Sequence, residues 1–423
     1  MGNKVPRRAQ DAKEHHVQHQ NAHEFTGLKL RRLMNSLEIF TGAGGLAKGL
    51  ESAGFHHSAF VEFNTHACAS LKVNFDSTKV YCGDIREYDL DQLSSIDVVA
   101  GGPPCQPFSL GGKGKAHDDA RDMFPYAIRA IEQLSPKAFI FENVKGLLRA
   151  SFSDYFEYIL LRLTYPTFKI EDVDDWRDHL KMLRKIYAMG YAGIKYKVQY
   201  RLLNAADYGV PQTRERVVIV GIRSDLNAEW QFPNATHSED RLLWDQHVTG
   251  KYWRNHGLNA NLGNIDLEEQ TTRVQRLKAK YGMFEPDTLP WQTVRDAIGN
   301  IPDPQTKHGI SDHIFKSGAR SYPGHTGSYI DWPAKTVKAG GHGVPGGENM
   351  IRYEDNAIRY FTVYEAKLIQ TFPADFHITG AWGEAMRQIG NAVPVKLAAV
   401  LGDHLVKTLG SSSATTIYRK IKA

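Results

Sequence analysis

One cysteine stands inside a run of glycines and prolines, Gly101-Gly102-Pro103-Pro104-Cys105-Gln106-Pro107. Proline fixes φ and has no amide donor, so this run cannot form the interior of a helix. The mostly apolar residues 96–100 before it predict a short buried strand. Cys105 is therefore expected on a stiff loop at the end of a strand. Two interpretations are open at this point: a small apolar side chain packed in a turn, or a thiol held rigidly for chemistry.

A glycine-rich segment is the second candidate for chemistry. Residues 40–47, FTGAGGLA, follow an apolar run and open a helix-like segment. Glycines let the backbone approach a ligand, and a helix N-terminus offers free amides. Glu62 lies 20 residues after Gly42, where an acid can bind ribose hydroxyls. This pattern fits a nicotinamide dinucleotide, S-adenosylmethionine or a plain strand–helix turn. Asp84, at the end of the third run, suits an adenine amino group.

The elements that must position these residues are short apolar runs. They occupy residues 37–40, 59–61, 80–82, 97–100, 138–141, 197–203 and 216–221. Helix-like segments, such as 46–53 and 65–73, separate the early runs. This alternation predicts an α/β fold with a doubly wound, mostly parallel sheet. Ligands bind at the carboxyl ends of such strands, so Gly42, Glu62, Asp84 and Cys105 are expected at one edge of the sheet.

The strand–helix alternation stops near Arg223. Residues 225–329 are rich in Asn, His, Trp, Gly and Pro, and contain one helical stretch at 267–281. We therefore predict a smaller irregular domain at 224–335, after a main domain at 30–223. Helical patterns return at 362–371 and after Pro394, so we expect residues 336–423 to fold back onto the main domain.

Composition sets further bounds. The 423 residues are 42% hydrophobic and 23% charged, which is typical of globular proteins in solution. No run of about 18 apolar residues occurs, so we expect no transmembrane helix and no membrane partner. Residues 1–36 hold seven Lys/Arg against three acids. We predict that residues 1–29 form a basic, disordered arm, either solvated or in contact with a polyanion.

Cysteine and histidine usage indicates the compartment. The chain has three cysteines, Cys68, Cys82 and Cys105. A sparse, odd number suits a reducing cytoplasm, and we expect no disulfide framework. No Cys/His cluster has zinc spacing, so no metal site is expected.

Four motifs, taken together, resemble those of a known enzyme family. They are PPCQPFS at 103–109, ENV at 142–144, QTRER at 212–216 and GNAVP at 390–394. In this order they closely resemble the cytosine-5 DNA methyltransferases of bacterial restriction–modification systems. The resemblance covers roughly residues 37–223 and 329–405. It implies a Rossmann-like methyltransferase fold with a target-recognition domain, which would be residues 224–335.

The resemblance also implies a site for S-adenosylmethionine, with Phe40 against the adenine and Asn391 and Val393 contributed by the C-terminal segment. The implied cofactor residues are Phe40, Thr41, Gly42, Ala43, Gly44, Gly45, Leu46, Glu62, Phe63, Asp84, Ile85, Pro104, Asn391 and Val393. Two features depart from the family pattern. Asp122 and Met123 stand where the family often has Gly and Leu, and a long gap after Glu142 predicts an added helical segment at 151–190.

The same resemblance assigns the catalytic residues Cys105, Glu142, Arg214 and Arg216. Cys105 would be the nucleophile that adds to carbon 6 of cytosine. Glu142 would assist at N3 and the 4-amino group, or form a structural ion pair with an arginine. Arg216 would hold O2, and Arg214 would position a phosphate or the loop.

The substrate implied is a cytosine flipped out of duplex DNA. The glycine- and lysine-rich residues 111–115 would close over it, and residues 251–257 exemplify side chains able to meet base edges. A cognate restriction endonuclease acting on the same site is an expected partner, and we expect a monomer. Two alternatives remain open: a tRNA cytosine-5 methyltransferase with the same motifs, and, on the glycine loop alone, an NAD-dependent oxidoreductase.

Overall fold

Short apolar runs become the strands of one central sheet. The computed structural model describes residues 33–104, 122–169, 175–259, 267–339 and 349–421. Within these residues the sheet has seven strands. They are β1 (Met34–Ile39), β2 (Phe55–Glu62), β3 (Val80–Cys82), β4 (Val98–Gly101), β5 (Ala138–Val144), β6 (Tyr196–Asn204) and β7 (Glu215–Arg223). Each of the seven predicted runs overlaps one of these strands.

The strand order is β3-β2-β1-β4-β5-β7-β6, and only β7 runs antiparallel to its neighbours. The carboxyl ends of β1 to β5 therefore share one edge, and the first residues of β7 arrive at that same edge. Val144 at the end of β5 pairs with Arg216 at the start of β7. This order confirms the predicted doubly wound, mostly parallel α/β fold.

Helices and short strands surround the sheet. The α-helices are α1 (Gly45–Ser52), α2 (Thr65–Asn74), α3 (Phe124–Leu134), α4 (Ser153–Thr164), α5 (Trp176–Met189), α6 (Glu239–Leu243), α7 (Lys251–Asn255), α8 (Leu267–Tyr281), α9 (Val294–Ile298), α10 (Val363–Ile369), α11 (Trp382–Asn391) and α12 (Val395–Ile421). The short strands are β8 (His237–Ser238), β9 (Leu289–Pro290), β10 (Ser328–Tyr329), β11 (Met350–Arg352) and β12 (Ile358–Tyr360).

Both faces of the sheet are covered. Helices α3, α4 and α5 pack on one face, where Ile131, Ile159 and Leu183 share a buried cluster with residues of β1, β5 and β7. Helices α1 and α12 cover the other face through Leu50 and Leu401. The chain after 336 thus returns to the sheet through α12, while the boundaries of the predicted domains stay predictions.

The helical stretch at the C-terminal end is strongly apolar. The helical stretch Trp382–Gly410 is long enough and apolar enough to cross a membrane, judged by length and composition alone. However, 61% of its most apolar 18-residue window is buried inside the protein. Buried contacts of α12 with α1 and the sheet account for this composition. One or two such helices are weak evidence for a membrane, since core helices have the same composition.

The described residues contain one disulfide, although no disulfide framework was expected. Cys68 of α2 and Cys82 of β3 form a disulfide, with their Cα atoms 5.7 Å apart. The sequence gives little warning of this pair because it depends on register: Cys82 lies opposite Glu62, where β3 pairs with β2. The predicted cytoplasmic location stays a prediction.

Candidate active site

The glycine loop links β1 to α1 through left-handed backbone. Gly42 has φ 59° and Gly44 has φ 88°, a region that glycine enters without a Cβ penalty. Phe40 also lies there, with φ 53°, at a cost of about 1–2 kcal/mol for a residue with a Cβ. Gly44 caps α1 without a side-chain hydrogen bond, so the first amides of the helix have no side-chain cap.

Glu62 holds the glycine loop from the next strand. Its carboxylate accepts hydrogen bonds from the amides of Gly42 and Asn64, each 2.7 Å long. A Cβ built on Gly42 would meet no atom within 4 Å, so the space above the loop is open. Phe63 beside it is 73% exposed. A half-buried carboxylate, an open glycine backbone and an exposed aromatic ring fit a nucleoside-containing cofactor.

Asp84 lies farther along the same edge, after β3. Its carboxylate binds the guanidinium of Arg86, with Nε 2.9 Å from Oδ2. Hydrogen bonding from Arg86 lowers the pKa of Asp84 and favours the charged acceptor form. The next residue, Ile85, is buried, and its carbonyl accepts from Arg129. Asp84 is thus fixed as an acceptor at the edge that Glu62 also occupies.

The GNAVP segment touches the glycine loop directly. A Cβ added at Gly45 would lie 2.3 Å from the Val393 carbonyl oxygen, so only glycine permits this approach. Val393 is buried and Asn391 is exposed. The structure therefore brings together the glycine loop, Glu62 and the C-terminal segment, which the sequence predicted as one site.

Glu142 and Arg216 form an ion pair where β5 meets β7. The distance from Arg216 Nε to Glu142 Oε1 is 2.6 Å, and the two side chains are 13% and 11% exposed. A Cβ added at Gly102 would lie 3.5 Å from Glu142 Oε2, so this carboxylate faces the backbone three residues before Cys105. Cys105 itself, and the loop predicted at 111–115, lie outside the described residues.

The backbone before Cys105 is held at two carbonyls. Asn143 Nδ2 donates to the Pro103 carbonyl at 3.0 Å, and the Met123 amide donates to the Pro104 carbonyl at 3.4 Å. Pro104 is exposed. Asn143 was given no role from the sequence, although the ENV motif contains it. The signal was present, but its partner is 40 residues away in the chain.

Arg214 occupies a different position from Arg216. It is only 1% exposed, and its guanidinium donates to the carbonyls of Val337, Gly390 and Ala392. Burial lowers the pKa of this guanidinium well below its ordinary value. Arg214 was predicted to position a phosphate or the loop, whereas these contacts are with residue 337 and the C-terminal segment.

Residues 251–257 divide into core and surface. Tyr252 and Trp253 are buried, and the Tyr252 hydroxyl lies 2.8 Å from Asp331 Oδ1. Lys251, Arg254 and Asn255 are exposed. The two aromatic residues therefore stabilise the region 224–335, and only the exposed ones are available to a partner.

Comparison with known proteins decides the family. A model of the C-5 cytosine-specific DNA methylase family matches residues 34–171 and 166–407. The chain belongs to this family. It is 31% identical over 378 residues to the type II methyltransferase M.NgoMIV of Neisseria gonorrhoeae, covering 88% of this chain and 97% of the relative. It is 32% identical over 388 residues to M.Sau96I of Staphylococcus aureus, covering 89% and 76%.

Solved structures agree on the fold. Spodoptera frugiperda DNMT2 superposes with a TM-score of 0.51 at 18% identity, covering 89% of this chain and 99% of that one. Entamoeba histolytica methyltransferase EhMeth gives 0.52 at 17% identity with the same coverage. The resemblance inferred from the motifs is confirmed. This DNA (cytosine-5-)-methyltransferase has the Rossmann-like fold of the methyltransferases.

Proposed function

We propose that this methyltransferase transfers a methyl group from S-adenosylmethionine to carbon 5 of a flipped-out cytosine in a specific duplex DNA sequence, through a covalent bond between Cys105 and carbon 6. The observation that carries the proposal is the Glu142–Arg216 pair beside Gly102, on the sheet edge that also holds the Glu62-bound glycine loop. We infer that this edge holds the cofactor beside an ion pair that faces the backbone three residues before Cys105.

The cofactor fits the residues present at this edge. Glu62 would bind the ribose hydroxyls, Asp84 the adenine amino group, and Phe40 or Phe63 the adenine ring. The carboxylates of Glu62 and Asp84 already accept hydrogen bonds from backbone amides, so little reorganisation is needed when the cofactor binds. When bound, S-adenosylmethionine supplies an electrophilic methyl carbon on its sulfonium.

The chemistry assigned to the chain begins with Cys105. Its thiolate would add to carbon 6 of cytosine, which breaks the ring's aromaticity and places electron density on carbon 5. Carbon 5 would then take the methyl group as the bond from that methyl carbon to the sulfonium sulfur breaks, which leaves S-adenosylhomocysteine. Water would take the carbon 5 proton, and the electrons of that C–H bond would re-form the C5–C6 double bond as the thiolate leaves carbon 6. A rigid proline-rich mount favours this sequence because covalent attack needs tight geometry.

Glu142 and Arg216 would bind the polar edge of the flipped base. Addition at carbon 6 pushes negative charge onto N3 and O2. The Glu142 carboxyl would donate a proton or hydrogen bond to N3 and accept a hydrogen bond from the 4-amino group, and Arg216 would donate to O2. Their contact at 2.6 Å orients both side chains before the base enters. Arg214 would act indirectly, by fixing the segment 390–392.

The proposed partners are duplex DNA and a restriction endonuclease. Residues 224–335 would read the DNA sequence, because the motifs before and after them account for cofactor and chemistry. The relatives named above are type II methyltransferases, which supports a restriction–modification context. We therefore propose a cognate restriction endonuclease that recognises the same site, and a monomeric, cytoplasmic enzyme.

Cofactor binding tests this function directly. S-adenosylhomocysteine should raise the melting temperature of the protein, and NAD should leave it unchanged. Glu62→Ala should weaken S-adenosylhomocysteine binding by roughly 1.5–3 kcal/mol, which is about 10- to 150-fold in Kd, because it removes a charged hydrogen-bond acceptor. Isothermal titration calorimetry measures this loss.

A matched control removes a carboxylate outside the site. Glu51 on α1 pairs with Lys48 at the surface, and Glu51→Ala should leave cofactor affinity unchanged. Stabilisation by NAD, or equal affinities for Glu62→Ala and the unmodified protein, would contradict the proposed cofactor site.

A further inference from the structure

Helix α4 occupies the long gap between β5 and β6, where the sequence predicted an added helical segment. It buries Tyr155, Phe156, Ile159 and Leu163 against the sheet and its neighbouring helices. Tyr155 is 3% exposed. Burial of four apolar or aromatic side chains explains why the helix is stable, but it does not require a hydroxyl at position 155.

The Tyr155 hydroxyl has a specific partner. It donates a hydrogen bond to Oδ2 of Asp122, and Oδ1 of the same carboxylate accepts from the Phe124 amide at 3.2 Å. Asp122 is 8% exposed. A buried carboxylate needs such partners, because an unpaired one would be costly. Asp122 is therefore fixed from two sides, by α4 and by the first turn of α3.

Asp122 is followed by Met123, which contacts the backbone segment that leads to Cys105. Met123, which follows Asp122, donates its amide to the Pro104 carbonyl at 3.4 Å. Pro104 is covalently joined to Cys105. A continuous chain of contacts thus runs from the Tyr155 hydroxyl through Asp122 and Met123 to Pro104.

We propose that Tyr155 is a positioning residue for methyl transfer, acting through Asp122 and Met123 on the backbone at Pro104. The inference rests on the proposed role of Cys105 as nucleophile. A glycine at position 122, as the family often has, offers Tyr155 no carboxylate, so this device belongs to the Asp122 found here. Displacing a reacting group by about 1 Å can cost on the order of 10²-fold in rate.

Tyr155→Phe removes the hydroxyl and keeps the packed ring. We expect kcat to fall by about 10- to 100-fold, since the backbone at Pro104 loses one of its supports. The KM for DNA and the Kd for S-adenosylhomocysteine should stay within about twofold, because Tyr155 lies outside the proposed cofactor and DNA contacts. This split separates positioning from a general loss of structure.

Tyr196→Phe is the matched control outside this chain of contacts. The buried Tyr196 hydroxyl donates to the Pro136 carbonyl at 2.7 Å, before the first residue of β5 and so at the opposite end of the sheet from Gly101. Its removal should lower stability as much as Tyr155→Phe does, with kcat close to that of the unmodified enzyme. If both variants lose kcat equally, and each loss follows the fall in melting temperature, then Tyr155 has only a structural role and the proposal is overturned.

A double-mutant cycle tests the route through Asp122. Asp122→Asn combined with Tyr155→Phe should lower kcat no further than the more damaging single change, because both act on one contact. Independent, multiplying effects would overturn this route. Failure of the inference is distinguishable from failure of the proposed function: if Tyr155→Phe keeps kcat within twofold while Cys105→Ala is inactive, only the positioning role is wrong. An active Cys105→Ala variant would show instead that Cys105 is not the nucleophile.

Discussion

Single side chains at the sheet edge divide into those that face the open site and those that hold its backbone. Glu142 and Arg216 form a pair with about a tenth of each side chain exposed, whereas Arg214 is enclosed by carbonyl groups. Arg214 precedes β7 and donates to the carbonyls of the C-terminal segment, whereas Arg216 is the second residue of β7 and pairs with Glu142 of β5. One motif therefore supplies both a proposed base contact and a buried support.

Substitution of Glu142 tests its role. Glu142→Gln keeps the shape of the side chain but loses its charge and proton transfer, so turnover should fall by about 10²–10⁴-fold. Single-turnover methylation assays measure the rate, and DNA binding should survive. Glu215→Gln is the control, since Glu215 is an exposed neighbour paired with Lys145. If turnover of Glu142→Gln stays within about threefold, the ion pair with Arg216 is structural.

Helices α1 and α12 approach each other closely beside the proposed cofactor site. Gly49 on α1 faces α12, and a Cβ there would lie 2.3 Å from the Ala398 Cβ and 2.5 Å from the Val395 carbonyl oxygen. This contact joins the helix that follows the glycine loop to the helix that follows GNAVP. The proposed cofactor site therefore depends on two distant parts of the chain that can pack closely because Gly49 has no side chain.

Gly49→Ala should lower the free energy of unfolding by about 1–3 kcal/mol, the usual effect of overpacking. Chemical denaturation measures the change. Gly383→Ala on α11 is the control, because a Cβ there meets no atom within 4 Å. Equal stability of the two variants would show that α12 can move away from α1 at no cost.

Prediction from sequence succeeded where the signal is local. Apolar runs located the seven strands of the central sheet, and Glu62, Asp84 and Glu142 lie at or just after the ends of three of these runs. It failed where the cause is packing between distant residues. The Cys68–Cys82 disulfide needs the β2–β3 register, and the Tyr155–Asp122 bond needs α4 to lie beside the start of α3. The burial of Arg214 likewise depends on the return of residues 390–392.

For the whole molecule, we propose that chemistry and recognition occupy different parts of the sequence. Each proposed cofactor and catalytic residue lies outside 224–335, and that region contains a small core of its own around Leu243, Trp244 and Leu277. A separate core lets surface side chains change without disturbing the sheet edge. This arrangement supports sequence recognition as the duty of residues 224–335.

Exchange of that region tests the division. Grafting the variable region of another cytosine-5 methyltransferase between residues near 224 and 335 should change which DNA sequence is methylated. Bisulfite sequencing of the product DNA identifies the methylated site. An active chimaera that still methylates the original sequence would refute the assignment of recognition to this region.

The central claim is covalent catalysis by Cys105, and trapping on modified DNA tests it most directly. DNA with 5-fluorocytosine at the target should form a denaturant-resistant adduct with the enzyme in the presence of S-adenosylmethionine, because fluorine cannot leave carbon 5 as the proton does. Denaturing electrophoresis detects the adduct. We expect a stable adduct that requires S-adenosylmethionine and disappears in Cys105→Ala. An adduct that persists in Cys105→Ala would contradict this claim.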